Sequence, residues 1–412
     1  MSEPLVIIGN GMAAARFADE LSKRALGRYA IAVVGEEPRL AYNRVLLSSV
    51  LAGEVASSDI ELKPQRWWAD RGITLRYGCR ANAIDTKART VTLADGNALP
   101  FSKLILATGS LPIKPPIPGM SLPGVITFRD INDIWTMWHR AGTDDRVVVI
   151  GGGLLGLEAA YGLAKAGARV TVLHLMDRLM ERQLDPVAAA MLKQAVEAKG
   201  IEVILNADTA EISGHGSVDA VMLKDGRRIE ANAVVVAIGI RPSADLARSA
   251  GLTVNRGIVV DDAMETSIAG IHAIGECAEH RGLVYGLVEP AYEQARVLAD
   301  SLTGGVARYP GSVLATNLKV SGVNVFSAGD FIGAPGTEEI ILSDPGFGTY
   351  KKFIIADGRL VGTVLFGDTA DGLWYLDLIR SGEPIEPFRG DLAFGRALVE
   401  RLHKPAFVKL AA

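Results

Sequence analysis

The chain contains very little cysteine, since Cys79 and Cys277 are its two cysteines among 412 residues. Two thiols cannot form a disulfide framework, and without a C-x-x-C pair the chain lacks a redox dithiol and a cysteine-rich metal motif. They are also too few to hold an iron–sulfur cluster through four cysteine ligands. We therefore expect no bound metal and interpret both cysteines as small buried residues.

Long apolar runs and an excess of positive charge are missing as well. Apolar runs such as 147–157 are about ten residues long and interrupted by glycine, whereas a transmembrane helix needs about 20 residues. Lys and Arg total 43 and Asp and Glu total 47, so the net charge of -4 gives no support for binding to nucleic acid or to an anionic membrane. The N-terminal residues contain no basic leader and no cleavage site, so we predict a cytoplasmic protein.

What the sequence does contain is a strand–turn–helix–strand pattern that occurs twice. The first copy places its strand, glycine-rich turn, helix and second strand at 5–8, 9–14, 14–24 and 31–34. The second copy has the same order at 146–150, 151–156, 154–166 and 169–173. Apolar strands that alternate with helices of this length are typical of a parallel sheet covered on both faces.

Small residues at fixed places in each turn have a physical reason. The first glycine permits the tight turn, the second lets the backbone approach a pyrophosphate, and the third small residue lets the helix pack closely on the strand. The N-terminus of the helix then offers free N–H groups and a positive dipole end to phosphates. We predict that the first turn binds a tightly held FAD through Gly9, Gly11, Met12, Ala13 and Ala14. We predict that the second turn binds an exchanging NAD(P)H through Gly151, Gly153, Leu154, Leu155 and Gly156.

Several later segments complete this pattern. Two strands that end in small residues, within 103–110 and 233–242, are each the last strand of a dinucleotide-binding unit. A short strand at 271–274 is followed by a glycine and then by an acid. A helix is expected from Glu289 to about residue 302. Beyond residue 313, short strands with glycine turns include a hairpin at Asp357-Gly358, and a final helix is expected over about 392–402.

These segments predict an α/β fold with two Rossmann-like dinucleotide-binding domains and a C-terminal α+β domain. Each dinucleotide-binding domain should have three layers around a parallel sheet. We place a discontinuous FAD-binding domain at 1–112 and 245–312, and an NAD(P)H-binding domain at 113–244. A C-terminal interface domain is expected at 313–412.

With these elements in order, the chain resembles the ferredoxin- and rubredoxin-reductase branch of the pyridine nucleotide-disulfide oxidoreductase superfamily. Within that branch it resembles the FAD module at the N-terminal end of the assimilatory nitrite reductase large subunit. The resemblance covers nearly the whole chain. It is carried by AYNRV at 41–45, GGGLLGLEAA at 151–160, ERQLD at 181–185, GIRP at 239–242, AIGECA at 273–278 and YGLV at 285–288.

The resemblance implies roles for further FAD-binding residues. Glu36 or Glu37 should bind the adenosine ribose, and Glu36 lies 22 residues after Ala14 (36 − 14), near the ~20 expected for such an acid. Arg44 and Arg129 should lie near the FAD phosphates, and Thr108 and Gly109 should lie against the flavin or its pyrophosphate. Gly275 and Glu276 should contact the ribityl chain, and Glu289 is a further FAD-binding candidate. The alternatives are surface ion pairs for both arginines and a capping or surface acid for Glu276.

Glu158 is the residue that the resemblance places near the nicotinamide and the flavin, and it is our catalytic candidate. Family members often pair such an acid with a lysine, but Ser49 occupies the matching position here. The alternative for Glu158 is a solvated helix acid. Segment 45–49 also lacks the cysteine that disulfide-type members use, so thiolate chemistry is excluded.

The choice between NADH and NADPH depends on the residue after the second strand of the second copy, 169–173. An acid there would bind the ribose hydroxyls and favour NADH, but His174 occupies this position. Arg178 could attract a 2′-phosphate, Asp177 could supply the missing acid, and Gly239 is a further candidate contact. We expect weak discrimination with NADH slightly favoured. The alternative is that His174 is a buried residue at the strand end.

The function that we predict is an FAD-dependent NAD(P)H:acceptor oxidoreductase. Hydride reaches the flavin, and electrons leave to a separate protein, either a ferredoxin, a rubredoxin or an iron–sulfur component of a nitrite or nitrate reductase. The alternatives are an NAD(P)H oxidase that uses O2 and a flavin-based redox sensor. We expect neither nucleic acid nor membrane as a partner, and a homodimer is possible.

Overall fold

A computed structural model describes residues 2–320 and 322–403. In chain order, the strands β1 to β25 are Glu3–Ile8, Tyr29–Gly35, Thr74–Tyr77, Ala81–Asp85, Thr90–Leu93, Ala98–Pro100, Lys103–Leu106, Ser110–Pro112, Val125–Thr127, Arg146–Ile150, Arg169–Leu173, Glu202–Ile204, Thr209–Ser213, Ala220–Leu223, Arg228–Glu230, Ala233–Val236, Ile240–Pro242, Ile258–Val260, Ile271–Ala273, Ala278–His280, Ala315–Val320, Val323–Gly329, Glu338–Asp344, Thr349–Ala356 and Arg359–Phe366. The helices α1 to α10 are Met12–Ala25, Leu47–Leu51, Gln65–Ala69, Ile131–Arg140, Leu154–Lys165, Pro186–Glu197, Asp245–Ser249, Val288–Leu302, Gly372–Ser381 and Arg396–His403.

The chain forms two compact units, each assembled from segments that are distant in sequence. Unit 1 comprises Met1–Lys114, Thr127–Thr136 and Gly239–Ser312. Unit 2 comprises Pro115–Ile126, Met137–Ile238 and Val313–Ala412. The predicted C-terminal domain extends to residue 412, and its residues 404–412 lie outside the described part of the chain.

Unit 1 is built on a five-stranded parallel sheet with the order β19-β7-β1-β2-β3. Its central strands have no polar side, because residues 5–8 and 104–106 are buried throughout. Helix α1 packs against α8 and buries Ala14, Phe17 and Leu21. A small antiparallel sheet of β4, β5 and β6 belongs to the same unit. The parallel arrangement brings the carboxyl ends of β1, β2, β7 and β19 to one edge, where ligands bind in sheets of this type.

Unit 2 contains a second five-stranded sheet of the same kind, with the order β12-β11-β10-β16-β9. Its strands β10, β11, β12 and β16 pair in parallel, and a three-stranded antiparallel sheet of β13, β14 and β15 accompanies them. Residues 315–366 contain an antiparallel sheet in the order β21-β22-β25-β24-β23. Phe326, Phe353 and Tyr375 lie in its core, where helix α9 packs on the sheet.

The predicted fold class is confirmed, since both parallel sheets and the C-terminal sheet domain are present. Strands β10 and β11 have the predicted bounds, and the hairpin turn has positive φ at Asp357 (48°) and Gly358 (66°), as its sequence indicates. The predicted start of the last helix is wrong. Gly395 has a φ of 91° and separates α10 from a 3₁₀ segment at Glu386–Phe394. Strand β23 and both small antiparallel sheets were not expected from the sequence.

Three expectations about composition can be compared with this fold. Cys277 is buried as expected, but Cys79 is half-buried, where it packs at the edge of the unit 1 core. Within residues 2–320 and 322–403, no helix has the length and apolar character required to cross a bilayer. In the same ranges, no three His, Cys, Asp or Glu side chains are grouped as metal ligands would be.

Candidate functional site

The first glycine-rich turn connects β1 to α1 in unit 1. Gly9 has a φ of 111°, and a Cβ atom there would lie 2.1 Å from the carbonyl oxygen of Ala107, so no other residue fits. Gly11 is the N-cap of α1, without a side-chain cap, and nothing lies within 4 Å of the place of its Cβ. The first N–H groups of a helix have no partner within it. The N–H groups of Met12, Ala13 and Ala14 therefore border an open space suited to an anion.

A second segment of unit 1 reaches the start of α1. Gly275 has a φ of 82°, and a Cβ atom there would lie 3.0 Å from Cβ of Ala13. Its N–H donates to Oε1 of Gln294 at 2.7 Å, which ties the turn to α8. This close approach positions Glu276 beside the glycine-rich turn. Glu289, in the first turn of α8, forms an ion pair with Arg296 at 3.1 Å. Sequence reasoning missed Gln294, because a glutamine inside a helix carries no local signal of such a contact.

Glu276 is the centre of a polar cluster. Its carboxylate accepts a hydrogen bond from the hydroxyl of Ser110 at 2.8 Å and forms an ion pair with Arg129. A guanidinium nitrogen of Arg129 lies 3.9 Å from the place of a Cβ on Gly109. Thr108, next to it, donates to the carbonyl of Ser243 at 2.6 Å. The structure thus brings together four residues that the sequence placed at the FAD site: Thr108, Gly109, Arg129 and Glu276.

The two acids that follow β2 have different surroundings. The carboxylate of Glu37 accepts a hydrogen bond from Tyr42 at 2.7 Å and forms an ion pair with Arg44. Arg44 also donates to the carbonyl of Arg129 at 3.0 Å and stacks over the ring of Tyr42. Burial raises the pKa of the Tyr42 phenol, so this residue remains a hydrogen-bond donor to Glu37. The side chain of Glu36 is 71% exposed and lies 3.8 Å from Arg80.

The second glycine-rich turn connects β10 to α5 in unit 2 and repeats the geometry of the first. Gly151 has a φ of 124°, and a Cβ atom there would lie 2.3 Å from the carbonyl oxygen of Ala237. A Cβ on Gly156 would lie 1.9 Å from the carbonyl oxygen of Gly151, which explains the third glycine. Gly153 is the N-cap of α5 and has nothing within 4 Å of the place of its Cβ. Leu154 and Leu155 therefore begin a helix whose N-terminus is open.

His174 directly follows β11 and is buried against the second turn. Its Nδ1 accepts a hydrogen bond from the N–H of Gly152 at 3.0 Å, and its Nε2 lies 3.1 Å from a carboxylate oxygen of Glu181. The N–H of Met180 donates to the carbonyl of Gly152 at 3.0 Å. The sequence identified His174 as a candidate residue of the nucleotide site but gave no indication of its contacts to Gly152 and Glu181.

The remaining candidates for the nucleotide site lie in three places. Arg178 forms an ion pair with Asp177 at 3.0 Å, and the Asp177 side chain is mostly exposed. Glu158 is half-buried on α5 in unit 2. Gly239 has a φ of 123° and belongs to unit 1, where its carbonyl accepts a hydrogen bond from the N–H of Ile113 at 3.0 Å.

Comparison with known proteins agrees with this arrangement. The sequence model of the pyridine nucleotide-disulphide oxidoreductases matches residues 3–296, and that of the rubredoxin NAD+ reductase C-terminal domain matches residues 315–383. The chain belongs to the pyridine nucleotide-disulphide oxidoreductase family. As a member of this family it is an NAD(P)H-dependent oxidoreductase with FAD and NAD(P)H as cofactors. The two open helix N-termini beside glycines fit the pyrophosphates of both dinucleotides.

The relatives include a nitrite reductase and a nitrate reductase electron transfer subunit. The chain is 47% identical to the nitrite reductase [NAD(P)H] of Bacillus subtilis, a match that covers 91% of this chain and 47% of the relative. It is 44% identical to the assimilatory nitrate reductase electron transfer subunit of the same organism, over 90% of this chain and 48% of the relative. The chain thus spans about half the length of these curated relatives.

A solved structure matches over nearly the whole length of the chain. The ferredoxin reductase for the CYP199A2 system from Rhodopseudomonas palustris superposes with a TM-score of 0.86 and 28% identity. The match covers 98% of this chain and 100% of that chain. The fold of this family is therefore present from the first dinucleotide unit to the C-terminal sheet.

Proposed function

We propose that this oxidoreductase transfers electrons from NAD(P)H, through FAD, to a separate protein acceptor. The observation that carries the proposal is the pair of open glycine-rich turns, one in each unit, in a chain with only two cysteines. Two dinucleotide sites suit hydride transfer between a nicotinamide and a flavin. A chain without a dithiol has no residue of its own to receive the electrons, so they must leave to another molecule.

Unit 1 supplies the proposed FAD site. The N–H groups at the start of α1 would hold the pyrophosphate, with Gly9 and Gly11 leaving room for it. Of the two acids after β2, Glu36 is the better candidate for the adenosine ribose, because Glu37 is already engaged by Arg44 and Tyr42. We retain 1–112 with 245–312 as the FAD-binding domain, and 113–244 and 313–412 as the NAD(P)H-binding and interface domains.

The cluster around Glu276 would hold the flavin half of the cofactor. Arg129 and Arg44 are cations that can neutralise phosphate, and each is fixed by a carboxylate of this chain. Glu276 can accept a hydrogen bond from a ribityl hydroxyl, and the backbone at Thr108 and Gly109 would lie against the flavin. Glu289 remains a proposed contact near the start of α8.

Unit 2 supplies the proposed NAD(P)H site at the turn 151–156. The open N-terminus of α5 would bind the pyrophosphate, and Glu158 on the same helix would lie near the nicotinamide. The paired charges of Asp177 and Arg178 support weak discrimination between NADH and NADPH, since each offsets the other. Gly239 stays a candidate nucleotide contact from its sequence motif alone.

The acceptor that we propose first is an iron–sulfur component of a nitrite or nitrate reductase. It is supported by the two Bacillus subtilis relatives, which carry additional sequence beyond the length that this chain spans. A ferredoxin is the second choice, supported by the full-length match to a ferredoxin reductase, and a rubredoxin is the third. A cytoplasmic location and a homodimer remain predictions.

Anaerobic stopped-flow measurements test this proposal. The flavin of the purified holoenzyme is reduced with NADH and then mixed with each protein acceptor or with O2 alone. We expect at least one protein acceptor to reoxidise the flavin far faster than O2, at a rate that falls as salt rises, because such docking is electrostatically steered. If O2 is faster than every acceptor and peroxide or water accounts for all NADH consumed, the protein is an oxidase. If NADH fails to reduce the flavin rapidly, it is a sensor.

A further inference from the structure

The two glycine-rich turns can be compared residue by residue, because their hydrogen bonds set the same register. The N–H of Gly9 donates to the carbonyl of Val34, and the N–H of Gly151 donates to the carbonyl of Leu173, both at 2.8 Å. Asn10 in the first turn therefore corresponds to Gly152 in the second. By the same register, Gly35 after β2 corresponds to His174 after β11.

At these corresponding positions the large and small residues are exchanged. In unit 1 the turn carries Asn10 and the strand end carries Gly35, where a Cβ atom would lie 2.6 Å from Cβ of Asn10. In unit 2 the turn carries Gly152, where a Cβ atom would lie 2.6 Å from Cδ2 of Leu179, and 2.7 Å from Cγ and 3.0 Å from Cβ of His174. A further side chain would collide with its neighbours in both units, because contacts this short cannot be relieved without moving the backbone or the neighbouring side chains.

The side chain that fills the space is used differently in the two units. Asn10 donates from Nδ2 to the carbonyl of Arg39 at 3.1 Å, away from the turn. His174 instead bonds to the turn itself, through Nδ1 to the N–H of Gly152, and its other ring nitrogen faces Glu181. Since an N–H donates to Nδ1, the proton of the neutral imidazole is on Nε2, where it donates to the carboxylate.

We propose that His174 is a positioning residue that fixes the Gly152 peptide of the nucleotide turn, together with Glu181, and is not the residue that reads the ribose. Its exposed fraction is 8%, and both ring nitrogens are engaged within the protein. The following residues are accessible instead, with Leu175 59% exposed and the side chain of Asp177 67% exposed. Discrimination between NADH and NADPH then falls to Asp177 and Arg178. This inference rests on the proposed assignment of unit 2 to NAD(P)H.

Two partial replacements of the imidazole separate positioning from ribose recognition. Asparagine places an acceptor oxygen where Nδ1 lies, and glutamine places a terminal amide donor near the position of Nε2. With His174→Asn we expect NADH affinity close to that of the wild type, because Gly152 keeps its acceptor. With His174→Gln we expect affinity to fall by about tenfold, since a buried N–H loses its partner. The NADH-to-NADPH preference should remain unchanged in both variants.

The measurement is the concentration dependence of anaerobic flavin reduction, made with NADH and NADPH on each holoenzyme. It yields the apparent dissociation constant and the limiting rate separately. A shift of tenfold or more in nucleotide preference in either variant would overturn the proposal, because it would make the imidazole a ribose contact. Equal loss of affinity in His174→Asn and His174→Gln would also overturn it. Failure of the wild-type protein to be reduced would instead refute the assignment of the nucleotide site.

A residue swap tests the packing pair without any nucleotide. Gly152→Asn should lower the melting temperature or the yield of folded holoenzyme, because the introduced side chain would collide with His174 and Leu179. Adding His174→Gly recreates the arrangement of unit 1 and should restore part of the loss. Because Leu179 also lies against Gly152, the double variant is compared with a triple variant that adds Leu179→Ala. If neither is more stable than Gly152→Asn, the exchange of large and small residues is not complementary. The rescued variant should retain flavin and still bind NADH weakly, since it lacks the imidazole.

Discussion

The charged pairs around the first glycine-rich turn are partly buried, whereas the arginine–acid pairs that follow β11 beside the second turn are more exposed. In unit 1, Glu37 with Arg44 and Glu276 with Arg129 form partly buried ion pairs. The two pairs are connected, because Arg44 also donates to the carbonyl of Arg129. In unit 2 the contact next to the turn is a buried histidine facing a carboxylate.

This contrast suggests how one backbone geometry can serve two kinds of ligand. Both turns offer an open helix N-terminus beside a glycine, which is enough to receive a pyrophosphate. In the proposed FAD site, Arg44 and Arg129 would add charge-assisted bonds to phosphate and so slow release of the cofactor. At the second turn, Arg178 and Arg182 pair with acids next to them in the chain at more exposed positions, so we expect that site to hold its ligand less tightly, as an exchanging substrate requires. The difference in side chains, and not in the turn, would then separate cofactor from substrate.

The largest expected effect is loss of the cofactor from unit 1. Gly11→Glu places a side chain and a negative charge in the open space at the start of α1, so we expect purified protein without flavin. Gly11→Ala is the control for folding, because a φ of -106° is open to any residue. The flavin absorbance per chain and the far-ultraviolet circular dichroism give the answer. A yellow, folded Gly11→Glu protein would refute the FAD site.

The equivalent change in unit 2 should separate the two sites. Gly153→Glu blocks the open start of α5, so we expect flavin to be retained while NADH affinity falls by about a hundredfold or more, as a repelled phosphate implies. Gly153→Ala provides the matched control at the same position. The rate of anaerobic flavin reduction at increasing NADH measures the effect. Loss of flavin from Gly153→Glu would show that the two units are not independent binding sites.

A smaller effect is expected from the arginine near Glu276. Arg129→Ala should weaken FAD binding by about tenfold to a hundredfold, because a bond between charged groups contributes roughly 1.5–3 kcal/mol. Loss of the ion pair also leaves Glu276 without its cation. Arg146→Ala serves as the control, since this arginine of unit 2 forms an exposed ion pair with Glu230. Flavin release in a dilution assay gives both dissociation constants. Equal values for the two variants would contradict the role of Arg129.

Nucleotide selectivity should respond to the charged pair after β11 more modestly. Asp177→Ala frees Arg178 to attract a 2′-phosphate, so we expect a shift toward NADPH of about tenfold, the size of one charged contact. Arg178→Ala should shift the preference toward NADH by a similar factor. The ratio of the two apparent dissociation constants in flavin reduction is the measurement. Shifts in the same direction in both variants would rule out opposing roles for the two charges.

The smallest effect concerns pH and is confined to unit 1. Asp133 accepts hydrogen bonds from the N–H groups of Arg129 and Asp130, but burial and the charge of Asp130 raise its pKa to about 6. Above the usual pKa near 3.8 the unfolded chain is ionised while the folded protein still holds the proton. Stability contributed by this group is therefore present at low pH and lost as pH rises from about 4 to 6.

Asp133→Asn tests this sign directly. The amide keeps an acceptor oxygen and does not ionise. The melting temperature of the variant minus that of the wild type should therefore increase by a few degrees as pH rises from 4 to 7. A gap that stays constant over this range would show that the carboxyl is not perturbed. Asp177→Asn, at an exposed carboxyl of unit 2, is the control for replacing a carboxylate by an amide.

Much of the fold could be predicted from the sequence, because its signals are local. The runs that became β10 and β11 are apolar and bounded by glycine or charge, and their bounds were predicted correctly. Strand β23 was missed because its residues show no regular alternation of apolar and polar side chains. The start of the last helix was wrong because Gly395 separates two helical segments.

The site was predictable to a different extent in its backbone and its side chains. Gly9 and Gly151 could be recognised because their positive φ and the close approach of Ala107 or Ala237 leave no room for a side chain. The sequence could not show whether Glu36 or Glu37 was engaged, since that depends on where Arg44 lies. It also could not reveal Gln294 as the partner of Gly275.

The sequence by itself determined that this chain has two dinucleotide units and a C-terminal sheet domain, because period and glycine spacing act between neighbours in the chain. Only the tertiary structure decided which side chains meet. Ser110 and Glu276 are 166 residues apart, and His174 meets Gly152 across 22 residues. Such contacts are selected by the space left after helices and strands have packed. No local rule states that a glycine in one turn requires a histidine at the end of the next strand.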